Sequence, residues 1–230
     1  MKELFNKYDI EIDDLQEKKF REFLEIFLET NSQINLSAIR DENWVILKHF
    51  IDSVLLLNHK NLYWKVMDIW TWGWFPWIPL SIMTQNNEVE YTLVDSVQKK
   101  IKVVNEFITK LDLKNIKAIS WRAEDLGREK DLREQFDFVV SRAMAYLPTL
   151  LEYVAPFLKV WWIFISYKLD NWEEIEQAKK ALDVLSCEII KTVEYDFEWQ
   201  KRIFLMIQKV WPIPKKFPRK VWDPLNFPII

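Results

Sequence analysis

Hydrophobic spacing divides the chain into two regimes. Up to residue 58 apolar positions recur at helical intervals. Phe20, Phe23, Leu24, Phe27 and Asn31 predict an amphipathic helix over 13–33, and Asp14-Leu15-Gln16-Glu17 resembles a capping box. Val45, Leu47, His49, Phe50, Val54 and Leu57 predict a second helix over 41–58. From residue 65 short apolar runs alternate with helical stretches. Strands are expected at 65–69, 88–94, 115–119, 136–140, 162–167, 187–193 and 203–209, and helices at 78–83, 97–111, 147–157 and 173–182. Val97, Ile101, Val104, Ile108 and Leu111 give the cleanest helical face. This alternation predicts an α/β fold with a mostly parallel twisted sheet and helices on both faces. The last two strands have no helix between them and so predict an antiparallel edge. The domain plan is a helical extension over 1–60 and a compact α/β unit over 61–230 that ends in a basic tail.

Composition narrows the class. Half of the 230 residues are hydrophobic, which excludes disorder and permits a real core. One cysteine, Cys187, excludes a disulfide scaffold, and His49 and His59 leave little for a metal cluster. No apolar run approaches the roughly 18 residues of a membrane span. The N-terminus lacks a secretory pattern, so a cytoplasmic protein is expected. Net charge is −3, yet residues 199–222 carry Lys201, Arg202, Lys209, Lys215, Lys216, Arg219 and Lys220 without an acid. Such a tail on an acidic body suits a focused polyanion contact, or is a solvated tail.

Two numbers do not fit an α/β protein. About 16 glycines are expected from average usage; the chain has two, Gly73 and Gly127, and 13 tryptophans. The segment Val66-Met67-Asp68-Ile69-Trp70-Thr71-Trp72-Gly73-Trp74-Phe75-Pro76-Trp77-Ile78-Pro79-Leu80 follows the first strand of the α/β region and opens a helix. A turn at that place binds nucleotide-type cofactors and needs small residues, so that main chain can approach the ligand. Reading Trp70, Trp72, Trp74 and Trp77 as glycine restores such a turn.

With that reading the chain resembles the bacterial 16S rRNA (guanine-N7) methyltransferase family, also called the glucose-inhibited division protein B family. The resemblance runs from about Asn35 to Lys220. It is carried by Asn35-Leu36-Ser37-Ala38-Ile39, Lys48-His49-Phe50-Ile51-Asp52-Ser53, the turn above, Leu93-Val94-Asp95-Ser96, Trp121-Arg122-Ala123-Glu124-Asp125, Phe136-Asp137-Phe138-Val139-Val140-Ser141-Arg142-Ala143 and Pro214-Lys215-Lys216-Phe217-Pro218-Arg219-Lys220. Trp70, Trp72, Trp74, Trp77, Trp121, Trp161, Trp162, Trp211 and Trp222 stand where the family favours glycine; Trp64, Trp172 and Trp199 sit in turn-like contexts, and Trp44 reads as a true tryptophan. Leu169 departs as well, at a glycine of the family. A gene that reads UGA as glycine, translated with a code that reads it as tryptophan, produces this pattern. UGG codons at these positions would refute that explanation. Taken literally, indoles in the turn are expected to crowd the cofactor's place.

The resemblance implies a Rossmann-like class I methyltransferase that uses S-adenosylmethionine and acts on small-subunit ribosomal RNA as a monomer, with neither metal nor membrane. It assigns Trp70 and Phe75 to the methionine and ribose portion, Asp95 to both ribose hydroxyls, and Ala123 and Glu124 to adenine. Arg142 would contact the cofactor or an RNA phosphate; the plain alternative is an ion pair with Asp137. His49 and Asp52 share a helical face and would order the site or touch RNA. Lys168, Lys215, Lys216, Arg219 and Lys220 are candidate RNA contacts. No general base is expected, because guanine N7 carries a lone pair and no proton; Glu124 and Asp68 are candidates to offset the cationic product. Two other readings stay open. One is a class I methyltransferase on another RNA or a small substrate; the other is a non-catalytic RNA-binding protein that uses real tryptophans for stacking.

Overall fold

The computed structural model describes residues 1–69, 75–85, 88–142 and 145–230. Trp70, Trp72, Gly73 and Trp74 of the glycine-like turn lie outside them. The described chain begins with helices α1 (Lys2–Asn6) and α2 (Asp14–Ile34). The cap of α2 lies one residue before the expected box: Asp13 accepts from the Gln16 N–H, and the Gln16 side chain accepts from the Asp13 N–H. The predicted continuous helix over 41–58 is instead four short pieces. These are α3 (Glu42–Val45), a π-helical turn (Ile46–Ile51), α4 (Asp52–Val54) and a 3₁₀ turn (Leu55–Asn58). Here the Ser53 hydroxyl donates to the His49 carbonyl at 2.5 Å, a side-chain bond that competes with the regular helical ladder. Widened turns of this kind concentrate at functional sites.

Seven strands then form one sheet: β1 (Trp64–Ile69), β2 (Val89–Asp95), β3 (Ile116–Ser120), β4 (Phe136–Arg142), β5 (Leu158–Leu169), β6 (Cys187–Phe197) and β7 (Gln200–Lys209). Their order is β3-β2-β1-β4-β5-β7-β6. β1 to β5 pair in parallel, and β7 inserts antiparallel between β5 and β6. The helices of this half are α5 (Trp77–Met83), α6 (Gln98–Lys110), α7 (Ala123–Leu126), α8 (Leu147–Val154), α9 (Trp172–Gln177), α10 (Lys179–Val184) and α11 (Asp223–Asn226). Because β4 returns to the far side of β1, the chain reverses direction there and leaves a crevice at the carboxyl ends of the strands.

Strand alternation splits the core in two. Val66, Phe138 and Ile165 face a layer built from Phe20, Phe23, Phe27, Phe50, Ile78 and Phe107, so the helical N-terminal segment shares one core with the sheet. Met67, Ile69, Val139 and Phe164 face Leu147, Leu150, Leu151 and Ala181 on the other side. Each fully buried ring contributes about 1.5–3 kcal/mol relative to an exposed one. On α6, Phe107 joins Ile101, Val104 and Leu111 in the core, while Val97 becomes the exposed N-cap residue.

Among the described residues four tryptophans adopt the left-handed backbone that favours glycine: Trp64 (φ 58°), Trp161 (φ 72°), Trp199 (φ 63°) and Trp222 (φ 74°). These residues are 52%, 61%, 90% and 51% exposed; Trp64 leans on Tyr63 and Trp162, and Trp222 lies under Arg122. Trp199 follows Glu198 (φ 46°) between the paired residues Phe197 and Gln200 of the β6–β7 hairpin. Successive left-handed residues in a two-residue hairpin turn call for Asn-Gly or Asp-Gly. By contrast, Trp77 is fully buried on right-handed α5, with an indole N–H that has no partner among the described residues.

Candidate functional site

The crevice holds a cavity of about 260 Å³ at the carboxyl ends of β1, β2 and β3. Its lining includes Ile69, Asp95, Val97, Ala123, Glu124 and Trp222. Asp95 ends β2 and is fully buried; its Oδ1 accepts the Val97 N–H at 2.8 Å, and its Oδ2 lies 3.4 Å from Lys100 Nζ. An ionised carboxylate has about four acceptor sites, so these bonds leave capacity for a further donor. Ala123 and Glu124 open α7, and Glu124 Oε1 accepts the Trp222 backbone N–H at 3.2 Å. The Arg122 guanidinium stacks 4.4 Å over the Trp222 ring. Trp121 and Trp222, two of the glycine-like positions, thus stand at the wall of this cavity. Asp68 on β1 is buried, and its Oδ2 lacks a partner among the described residues. Burial, and then the neighbouring Asp95, pushes its carboxyl well above the usual range.

The tail forms the outer wall. Arg219 binds the fully buried Glu152 through both carboxylate oxygens and also donates to the Phe227 carbonyl at 2.7 Å. Arg128 and Arg133 hold the carbonyls of Pro218 and Phe217 at 2.9 and 2.8 Å. Arg219 is therefore an internal anchor, whereas Lys215, Lys216 and Lys220 stay exposed beside it.

Across β1 lies a second cavity of about 250 Å³, lined by Arg142, Tyr167, Lys168, Tyr195, Gln200 and Arg202 among others. Arg142 ends β4, but its partner is Asp52 and not Asp137; Asp137 binds Lys159 and the Lys65 N–H. Arg142 also donates to the Lys48 carbonyl at 2.6 Å and lies 3.3 Å from the Ser53 hydroxyl. Phe75 turns inward: it stacks on His49 with centroids 4.4 Å apart, beneath the Arg142 guanidinium at 5.9 Å. Phe75 and Arg142 therefore do not line the first cavity, unlike Asp95, Ala123 and Glu124. His49 Nε2 meets the Ser37 hydroxyl at 2.9 Å, and burial, followed by Arg142, lowers the imidazole to about 3. It is a neutral, packed ring. Lys168 ends β5 and is held by Glu174 (2.6 Å) and the Ala145 carbonyl (2.9 Å). Glu152, Tyr195 and the pairing of Arg202 with Asp52 were not visible in the sequence. The one hint was that Asp52 shares a helical turn with His49.

Among the described residues no helix is long and apolar enough to cross a membrane, and no group of three His, Cys, Asp or Glu side chains could hold a metal ion.

A parallel sheet with an antiparallel β7 inserted before β6, and a buried acid at the end of β2 beside a nucleoside-sized cavity, define a Rossmann-like class I methyltransferase fold. Solved structures of that class superpose. A SAM dependent methyltransferase from Aquifex aeolicus gives a TM-score of 0.54 at 16% identity over 70% of this chain and 92% of its own. The ribosomal protein L11 methylase from Lactobacillus delbrueckii subsp. bulgaricus gives 0.53 at 17% identity over 71% and 79%. Sequence resolves the class further. The family model for rRNA small subunit methyltransferase G matches residues 16–202. Curated members from Acetivibrio thermocellus (40% identical over 96% of this chain and 92% of their own) and Alkaliphilus oremlandii (37% over 100% and 97%) carry that name. The chain belongs to the rRNA small subunit methyltransferase G family.

Proposed function

We propose that the chain transfers a methyl group from S-adenosylmethionine to guanine N7 of 16S ribosomal RNA, acting as a cytoplasmic monomer in which residues 1–60 extend the catalytic unit 61–230. The observation that carries this is the cavity at the switch point, with buried Asp95 and Glu124, in a chain whose residues 16–202 match the family. The donor set suits the cofactor's nucleoside end: Asp95 retains acceptor capacity for ribose hydroxyls, and Ala123 and Glu124 offer polar edges for adenine above an Ile69 and Val97 floor. Trp70 would take the methionine end, with Phe75 as the aromatic residue that follows it in the chain. When bound, the cofactor supplies an electrophilic methyl group. The chain's own task is positioning, since guanine N7 bears a lone pair and no proton that a base would have to remove. Arg142, held at the end of β4, would face the acceptor, and His49 would order it through Phe75. Lys215, Lys216, Lys220 and Lys168 would meet RNA phosphates, with Arg219 fixing the tail that presents the first three. Incubating small ribosomal subunits and free 16S rRNA with methyl-labelled cofactor tests this. Label recovered as N7-methylguanine supports it; label at any other atom, or none in either RNA, refutes it.

A further inference from the structure

Asp52 is a fully buried carboxylate that lies outside the cofactor cleft. Its Oδ2 pairs with both Arg142 and Arg202. Tyr195 donates its hydroxyl to Oδ1 at 3.3 Å, and Tyr167 donates to the neighbouring Ser53 carbonyl at 2.7 Å. Asp52 thus ties the N-terminal helical segment to β4, β6 and β7, and the neighbouring Ser53 carbonyl ties it to β5. Among the described residues no other carboxylate pairs with either guanidinium, so the cluster keeps one positive charge in excess. Arg202 Nε is buried and has no hydrogen-bond partner among the described residues, while its Nη2 donates to Gln200 at 2.9 Å. Both arginines line the second cavity, on the side of β1 opposite Asp95.

We propose that Asp52 is a positioning residue for the RNA side of the site: it holds Arg142 and Arg202 side by side so that the cavity at the ends of β4, β5 and β7 receives an rRNA phosphate. The proposal rests on the function given above. Two guanidiniums repel at contact distance, and a shared buried carboxylate removes that repulsion while Arg202 Nε is left without a partner among the described residues. A planar, forked donor pair suits a phosphate, and its unspent charge asks for one anion. The cavity stands beside the cofactor cleft, so a phosphate there would fix the strand whose base is presented across β1.

The test separates positioning from simple charge. If Asp52 only contributed to the electrostatic field, Asp52→Asn would remove a negative charge and tighten RNA binding. If it positions the arginines, the same substitution weakens binding. Wild type, Asp52→Asn, Arg202→Gln and the double variant are compared in full-length protein. The readouts are melting temperature, cofactor Kd by calorimetry, Kd for a labelled 16S rRNA fragment, and methylation kcat and KM. The expected result for Asp52→Asn is an rRNA Kd raised about tenfold or more with cofactor Kd held within about twofold, and a double variant no weaker than Arg202→Gln alone, as residues acting as one unit require. An Asp52→Asn protein that binds rRNA as well as or better than wild type overturns the proposal, whatever its melting temperature. Should Asp52→Asn not fold, Arg202→Gln decides, because Asp52 there keeps Arg142. Weakened rRNA binding at unchanged cofactor Kd supports the proposal, and wild-type rRNA affinity overturns it. Binding is read apart from turnover, so a wild-type chain that binds rRNA without methylating it refutes the proposed function and leaves this clamp to be judged on its own.

Discussion

Trp199 offers the sharpest test of why this chain carries so little glycine. It is the second left-handed residue of the β6–β7 turn, at φ 63°, and its ring is 90% exposed. A side chain forced into that region costs about 1–2 kcal/mol. The exposed ring returns little, since its one aromatic neighbour is Trp44 at 6.2 Å. Trp199→Gly removes the strain but adds roughly 0.5–1 kcal/mol of unfolded-chain freedom. The net expectation is a gain of about 0.5–1 kcal/mol over tryptophan. Trp199→Ala is the control, because it deletes the ring and keeps the Cβ; glycine should exceed it by about 1 kcal/mol. Urea unfolding at fixed protein concentration, with equal slopes for all three proteins, reads these differences. A glycine variant no more stable than the alanine variant would refute the claim that the backbone there is built for glycine. Independent behaviour at Trp64, Trp161, Trp199 and Trp222 would raise the combined gain to about 2–4 kcal/mol. The corresponding prediction for the source cell is an intact mass that fits glycine at these positions, from a gene with UGA at each.

Four further outcomes follow from the site. If Asp95 takes the ribose as proposed, Asp95→Ala should weaken cofactor binding by about tenfold or more through the loss of two hydrogen bonds, with the fold intact by circular dichroism. Arg219→Ala strands a fully buried Glu152 and should cost about 3 kcal/mol in urea unfolding, and it should also loosen the cofactor cleft that Trp222 closes. Replacing Lys215, Lys216 and Lys220 together by Gln should flatten the dependence of log K for rRNA on log salt by about 2 while leaving cofactor Kd unchanged; an unaltered slope would exclude these lysines from the contact. His49 is held neutral down to about 3. The unfolded chain therefore binds a proton that the folded chain refuses as pH falls below the unfolded value of about 6.5. The stability this confers is complete above that pH and falls by on the order of 1 kcal/mol per pH unit below it. His49→Gln should flatten the acid limb between about pH 6 and 5 relative to wild type; an equally steep limb would place the titration elsewhere.

The sheet was legible because buried parallel strands such as β5 carry unbroken apolar runs, Ile163-Phe164-Ile165 there, and because the helix after β2 repeats its apolar residues at helical spacing. The π-helical turn at Ile46–Ile51 was not, since nothing in the local spacing announces it; it accompanies the Ser53–His49 bond and a carboxylate aimed at residues far along the chain. Pairing failed for the same reason. From Arg142 the nearest acid that sequence offers is Asp137, yet the fold brings Asp52 instead. The basic tail shows how a charge count misleads without coordinates. Of the cations in 199–222, Lys209 is spent on Glu134 and the carbonyls of Ala155 and Leu158, and Arg219 on Glu152, while Arg202 shares the single Asp52 with Arg142. The charge open to a polyanion is what internal pairing leaves over. Besides the exposed Lys201 and the share Arg202 keeps, that remainder falls on Lys215, Lys216 and Lys220, on a segment whose next anchor, the Trp222 N–H, closes on Glu124 at the cofactor cleft. On the proposed function, contact with RNA and closure of the donor pocket fall on one short stretch of chain.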